Sequence, residues 1–300
     1  MKRLLLAPVL TLALIAAAGC GGGDDGGAAA PTTTAEEASC ERNQLTLKTP
    51  GKLTIGTDNP AFPPWFEGGT PEGSQWEIND PSTGEGFESA VAYAVAEKLG
   101  FERADVTWVV VPFNQSFRPG EKSFDFDINQ ISVTAERDRA VDFSDSYYDV
   151  NQALVARQGT ELANATSVED IKPHQLGAQV GTTSLAYIQN NIAPEQEPRV
   201  YDTSNDVVSA FNARQIDGIV VDLPTAFFLV GSGEVKNGKV VGQFPTEPGA
   251  EQEHFGMLFE EGNPLRDCVN QALTELRDEG TLEELQQEWL SEKTSAPVLE

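Results

Sequence analysis

From about residue 45 to residue 290 the chain alternates short β-rich apolar runs with amphipathic helical runs, and this alternation limits the fold more than any other feature. Residues 52–57, 152–156, 175–180, 200–202, 239–244 and 255–259 read as strands. Residues 105–111 and 216–221 are almost continuously apolar, as buried parallel strands are. Residues 87–99 set Phe87, Val91, Ala94, Val95 and Leu99 on one helical face, and Gly100 supplies the stop. Residues 264–277 repeat the pattern with Leu265, Val269, Ala272, Leu273 and Leu276. Thr281 and Glu284 then fit a capping box for a last helix through Leu290. Strands alternating with helices argue for an α/β architecture with parallel sheets. The chain is expected to leave a first lobe near Gln152 and to re-enter it near Glu253, so that two crossing strands form a hinge.

The first residues read differently. Lys2 and Arg3 precede an apolar run over residues 4–18, the pattern of a signal peptide over residues 1–19. The run ends Ala17-Ala18-Gly19-Cys20, which resembles a bacterial lipobox with alanine where leucine is commoner. The expectation is a lipidated Cys20; the alternative is plain secretion with Cys20 incidental. Residues 21–39 contain no aromatic residue and no aliphatic larger than alanine, so residues 20–44 are expected to be the lipidated cysteine and a tether. If Cys20 takes lipid, Cys40 and Cys268 remain to pair, which an exported chain permits. A net charge of −27 disfavours nucleic acid and anionic membrane surfaces as partners.

The densest polar chemistry lies in residues 125–148, DFDINQISVTAERDRAVDFSDSYY. A buried strand carrying Phe126, Ile128 and Ile131 runs into a turn, and Thr134 is placed to cap a short helix. Asn129, Gln130, Ser132, Thr134 and Arg137 converge there, offering hydroxyls and a guanidinium fork suited to a carboxylate. A second strand, glycine turn and helix start follows at Gly181-Thr182-Thr183-Ser184, and a third strand ends at Asp222 before Pro224 opens a helix. An anion site and a cation site are what a zwitterion needs, and open α/β sheets bind ligands at the C-terminal ends of their strands.

Four segments together resemble the family 3 extracellular solute-binding proteins, the amino-acid receptors of ABC importers: IGTDNPAFPPW (55–65), GFESAVAYAVAEKLG (86–100), ISVTAERDRAVDFSDSYY (131–148) and ELRDEGTLEELQQEWL (275–290). The resemblance implies a two-lobed periplasmic-binding-protein fold of type II with two hinge strands. It puts the first lobe at residues 45–152 and 248–300 and the second at residues 153–247. It also implies that Arg137 grips an α-carboxylate, with Ser132, Thr182 and Thr183 completing the cradle. Asp222 would take the α-ammonium, and Phe62 and Phe113 would pack on the ligand side chain. Asp58 lies where some relatives that bind basic amino acids carry a side-chain carboxylate, and Gln130 could reach into the pocket. The implied protein is a monomer, lipid-anchored outside the cytoplasmic membrane, that passes an amino acid, polar or cationic, to an ABC permease.

The competing readings are an enzyme on the same fold, of prephenate or arogenate dehydratase type, and a ligand-sensing receptor lobe. His174 and His254 are the only histidines and neither falls in a site motif. No nucleophile–base spacing and no His/Cys cluster of metal-ligand spacing is present, so neither catalysis, metal nor cofactor is expected.

Overall fold

The computed structural model describes residues 39–246, 249–290 and 296–299. The segment expected to be a signal peptide, Cys20 and the expected tether as far as residue 38 therefore lie outside the described residues. The strands are β1 (Leu53–Thr57), β2 (Val106–Val110), β3 (Phe126–Asp127), β4 (Asp142–Phe143), β5 (Tyr148–Asp149), β6 (Gln152–Arg157), β7 (Leu176–Gln179), β8 (Arg199–Tyr201), β9 (Gly218–Asp222), β10 (Gly238–Gln243), β11 (His254–Phe255) and β12 (Leu258–Phe259). The helices are α1 (Phe87–Lys98), α2 (Phe113–Ser116), α3 (Val168–Ile171), α4 (Thr183–Tyr187), α5 (Ser204–Asn212), α6 (Leu223–Gly231), α7 (Leu265–Asp278) and α8 (Thr281–Leu290).

Two five-stranded sheets organise them. The first runs β2-β1-β3-β12-β4 and the second β10-β6-β9-β7-β8. In the first, β1 is parallel to β2 and β3, whereas β12 is antiparallel to its neighbours. In the second, β9, β7 and β8 are parallel, and β6 is antiparallel to both of its neighbours, β9 and β10. Between the sheets, β5 pairs antiparallel with β11, so the outgoing and returning strands of the chain are hydrogen-bonded as they cross.

Each sheet is covered on both faces. Phe87, Val91 and Val95 of α1 join Val269, Leu273 and Leu276 of α7 in one core with Ile55, Phe126 and Phe259. Val111, Phe124, Ile131 and Leu258 fill the opposite face of that sheet. Gly86 opens α1 at φ 91°, and a β-carbon there would stand 2.6 Å from the Trp65 carbonyl, so only glycine lets the helix approach. Cys40 and Cys268 are disulfide-bonded, tying the first described residues to α7.

Some expectations needed correction. The buried strand expected at residues 105–111 is β2, Val106–Val110, at the edge of the first sheet, where Thr107 and Val110 are exposed. Residues 255–259 split into β11 and β12, since Gly256 and Met257 turn the chain from the crossing pair into the first sheet. Residues 248–300 do not return wholly to the first lobe: Val298 bridges Gln243 and Leu299 packs in a core of the second sheet.

Candidate ligand-binding site

A cavity of about 380 Å³ is lined by residues that follow the C-terminal ends of β1, β2 and β3 in one sheet and of β7, β8 and β9 in the other. That is where open α/β sheets leave backbone groups unpaired, and the volume is that of a small-molecule site. Four ionisable side chains line it, Asp58, Asp202, Asp222 and Glu234, and all are acidic. Among the described residues no lysine, arginine or histidine does. Phe62, Trp65, Phe66, Phe113 and Phe228 supply the apolar wall.

Seven of the nine residues expected from sequence to contact ligand line this cavity: Asp58, Phe62, Phe113, Gln130, Thr182, Thr183 and Asp222. Ser132 and Arg137 do not. Arg137 follows Thr134, whose hydroxyl accepts from the Arg137 amide at 3.2 Å and starts a single 3-10 turn rather than a helix. The Arg137 side chain is buried behind the wall. Nη1 donates to the Ser132 carbonyl at 2.6 Å and Nη2 to the Gly181 carbonyl at 2.8 Å, the latter bridging the two lobes. Its guanidinium lies 4.7 Å from the Phe117 ring centre and 5.5 Å from that of Phe113, a cation–π setting. Burial lowers its pKa to about 10, with Glu253 and Asp222 opposing the shift.

Thr182 is a helix cap: its hydroxyl accepts from the Leu185 amide at 3.1 Å. Asp222 stands at the N-cap position of α6 but makes no side-chain bond to that helix. It accepts instead from Gln152 Nε2 at 2.7 Å. Burial, then the charge of Glu253, pushes its pKa up to about 8. The same Gln152 amide reaches Glu253 Oε1 and Oε2 at 3.2 and 3.1 Å, while Gln152 Oε1 accepts from Ser184 Oγ at 2.6 Å. Ser132 Oγ donates to Glu253 Oε1 at 2.7 Å and stands 3.3 Å from Thr183 Oγ1. Arg137, Ser132, Thr183 and Asp222 are thereby joined into one network through two residues that sequence reasoning passed over, Gln152 and Glu253. Both occur where the chain crosses between lobes, and a polar residue at each crossing point was the available signal.

A second acidic set underlies the first lobe's share of the cavity. Gln130 has φ 46°, a left-handed backbone uncommon outside glycine. Glu88, fully buried in α1, holds it by accepting from both the Gln130 amide and its side chain, and also from the Tyr147 hydroxyl. Burial raises Glu88 to about 7. Asp58 is also raised by burial. Asp127 is fully buried with no hydrogen bond to either carboxylate oxygen, and burial with Glu88 and Asp58 nearby raises it strongly. Room for that carboxylate depends on Gly56, where a β-carbon would stand 2.6 Å from Asp127 Oδ2. Trp65 Nε1 donates to Thr225 Oγ1 at 3.0 Å, a further bond between lobes. Among the described residues no group of three or more His, Cys, Asp or Glu is placed to hold a metal ion.

The family model described as bacterial extracellular solute-binding proteins, family 3, matches residues 53–292. The arginine-binding extracellular protein ArtP of Bacillus subtilis is 27% identical over 210 residues, covering 69% of this chain and 78% of the relative. The L-cystine-binding protein TcyJ of Escherichia coli is 26% identical over 247 residues, covering 81% of this chain and 84% of the relative. Among solved structures, an ancestral arginine-binding protein bound to glutamine superposes with a TM-score of 0.65 at 27% identity, covering 80% of this chain and 97% of its own.

Proposed function

The chain belongs to the bacterial extracellular solute-binding proteins, family 3, and from that premise we propose that it binds a basic amino acid between its two lobes and presents it to the permease of an ABC importer. The observation that carries this reading is the cavity lining, four acidic side chains and no basic one. An anionic ligand side chain would lose hydration there beside like charge, whereas a ligand with net positive charge finds acceptors at both ends. Relatives named for arginine support the same class.

In this reading Asp222 takes the α-ammonium and Asp58 the cationic side chain, with Phe62 and Phe113 packing on its aliphatic stem. Gln130, fixed by Glu88, bounds the pocket from the first lobe. Arg137, Ser132, Thr182 and Thr183 form the carboxylate cradle. Separation of the lobes would take the Gly181 carbonyl away from Arg137 and free a guanidinium donor for the ligand. Charge-assisted bonds of this kind contribute about 1.5–3 kcal/mol each. Export with a lipid on Cys20 would hold the protein on the outer face of the cytoplasmic membrane, within reach of a permease, as a monomer.

The test is a melting-temperature screen against the common amino acids, followed by recovery of the ligand. The reading expects basic amino acids to raise the melting temperature and to be released unchanged. Consumption of the ligand, or stabilisation by prephenate, would overturn it in favour of an enzyme.

A further inference from the structure

We infer that Glu253 is a tethered carboxylate that occupies the anion cradle of the site, so that a ligand carboxylate enters only by displacing it, and that this competition sets which ligands the protein retains. The inference rests on the proposed role of Arg137, Ser132 and Thr183 as that cradle. It adds a residue to which neither the family motifs nor the cavity lining assigns a part.

The geometry is specific. Ser132 Oγ, a donor expected to meet a ligand carboxylate, already donates to Glu253 Oε1 at 2.7 Å. Thr183 Oγ1, expected to be another, is 3.3 Å from the same Ser132 hydroxyl. Gln152 Nε2 lies within 3.2 Å of both Glu253 oxygens. Among the charges around Arg137, Glu253 has the largest influence, ahead of Asp222. An internal carboxylate thus holds the Ser132 hydroxyl that an amino acid would use, next to Thr183 and within the field of Arg137.

Its backbone cannot drift from that place. Glu253 precedes β11, its carbonyl accepts from the Val150 amide at 2.9 Å, and the next residue's carbonyl accepts from the Val133 amide at 3.0 Å. Ser132 itself bridges Phe255. Strand pairing therefore holds Glu253 beside Ser132 in the first lobe, and only a side-chain rotation can vacate the cradle. Such a rotation is a local event, because the carboxylate is partly exposed, and its cost is the loss of the bonds from Ser132 and Gln152. Charge counting points the same way. Two carboxylates, Asp222 and Glu253, stand against one guanidinium, so a ligand carboxylate entering beside both meets repulsion that a carboxamide does not.

The experiment is calorimetric titration of wild type, Glu253→Gln and Arg137→Ala with the basic amino acid that binds wild type best and with its carboxamide, for example L-arginine and L-argininamide. Glutamine keeps the shape and an acceptor oxygen, and a melting scan checks that each variant folds. Displacement of a tethered carboxylate predicts that Glu253→Gln tightens the free amino acid at least about 10-fold, roughly 1.4 kcal/mol or more, while the carboxamide changes no more than about threefold, roughly 0.7 kcal/mol or less. Equal weakening of both ligands by Glu253→Gln would show Glu253 to be a cation acceptor, and no change in either would show it to be structural; each overturns the inference. Arg137→Ala reports on the underlying reading. Greater loss for the free amino acid than for the carboxamide supports the cradle, and equal loss removes Arg137 from it whatever Glu253 does. If no amino acid binds wild type, the functional reading falls and this inference with it.

Discussion

Asp222 carries the most testable chemistry at the scale of single residues. Burial and Glu253 hold its pKa at about 8 in the unliganded protein, and an arriving ammonium favours the ionised form. Below that pKa the proton must leave before the pair forms. Affinity for a basic amino acid should therefore rise as pH increases from 6 to 8 and level off above, with uptake of a proton by buffer on binding near pH 7. Titrations in buffers of different ionisation enthalpy measure both; an affinity that is flat over this range would remove Asp222 from the ammonium site. Asp222→Asn should abolish the pH slope and cost at least about 2 kcal/mol of binding, with smaller loss for ligands that lack the ammonium. At this scale the sequence was legible wherever a motif fixed a residue to a strand end. It was silent on Glu88, because a carboxylate within the apolar face of a helix reads as a surface position until Gln130 and Tyr147 are brought to it by the fold. Asp127 was equally silent, its burial depending on Gly56 in the neighbouring strand.

Elements explain why the site is split as it is. The α/β alternation, the core faces of α1 and α7, and the strand ends at Thr57 and Asp222 all followed from periodicity. Edge position and strand breaks did not, because they depend on which strands become neighbours: β2 has the composition of a central strand yet ends the sheet. The crossing pair β5–β11 was anticipated as two strands, but its chemistry at Gln152 and Glu253 was not, since local pattern does not reveal which residues meet across a hinge. Two further expectations belong here. Thr225→Val removes the acceptor for Trp65 Nε1 and should weaken ligand binding by about 1 kcal/mol, chiefly by faster release, as stopped-flow fluorescence would record. Loss of the Cys40–Cys268 bridge by double serine substitution should lower unfolding free energy by about 2–5 kcal/mol with little change in affinity. Denaturant titration and calorimetry on the same sample separate the two effects.

For the molecule as a whole, the buried acids make stability depend on pH in a definite direction. Asp222 and Glu88 sit near pKa 8 and 7 in the folded protein, with Asp127 and Asp58 also raised, whereas in the unfolded chain all four ionise at ordinary carboxylate values near 4. Between pH 5 and 8 the folded state binds more protons, so the stability that these groups supply is full at low pH and is lost as pH rises through their folded values. The unliganded protein should accordingly melt at a higher temperature at pH 5 than at pH 8, and saturating basic ligand should shrink the difference. A net charge of −27 adds a long-range attraction for cations, so association should slow as salt is added. The central claim, that two lobes enclose an acidic cavity selective for a basic amino acid, is met most directly by isothermal titration with arginine, lysine, histidine, glutamine and glutamate at pH 8. The account predicts that at least one basic amino acid binds with micromolar or tighter affinity and at least about 100-fold more tightly than glutamate, a gap of roughly 2.7 kcal/mol. Glutamate binding as tightly as the best basic amino acid would contradict it.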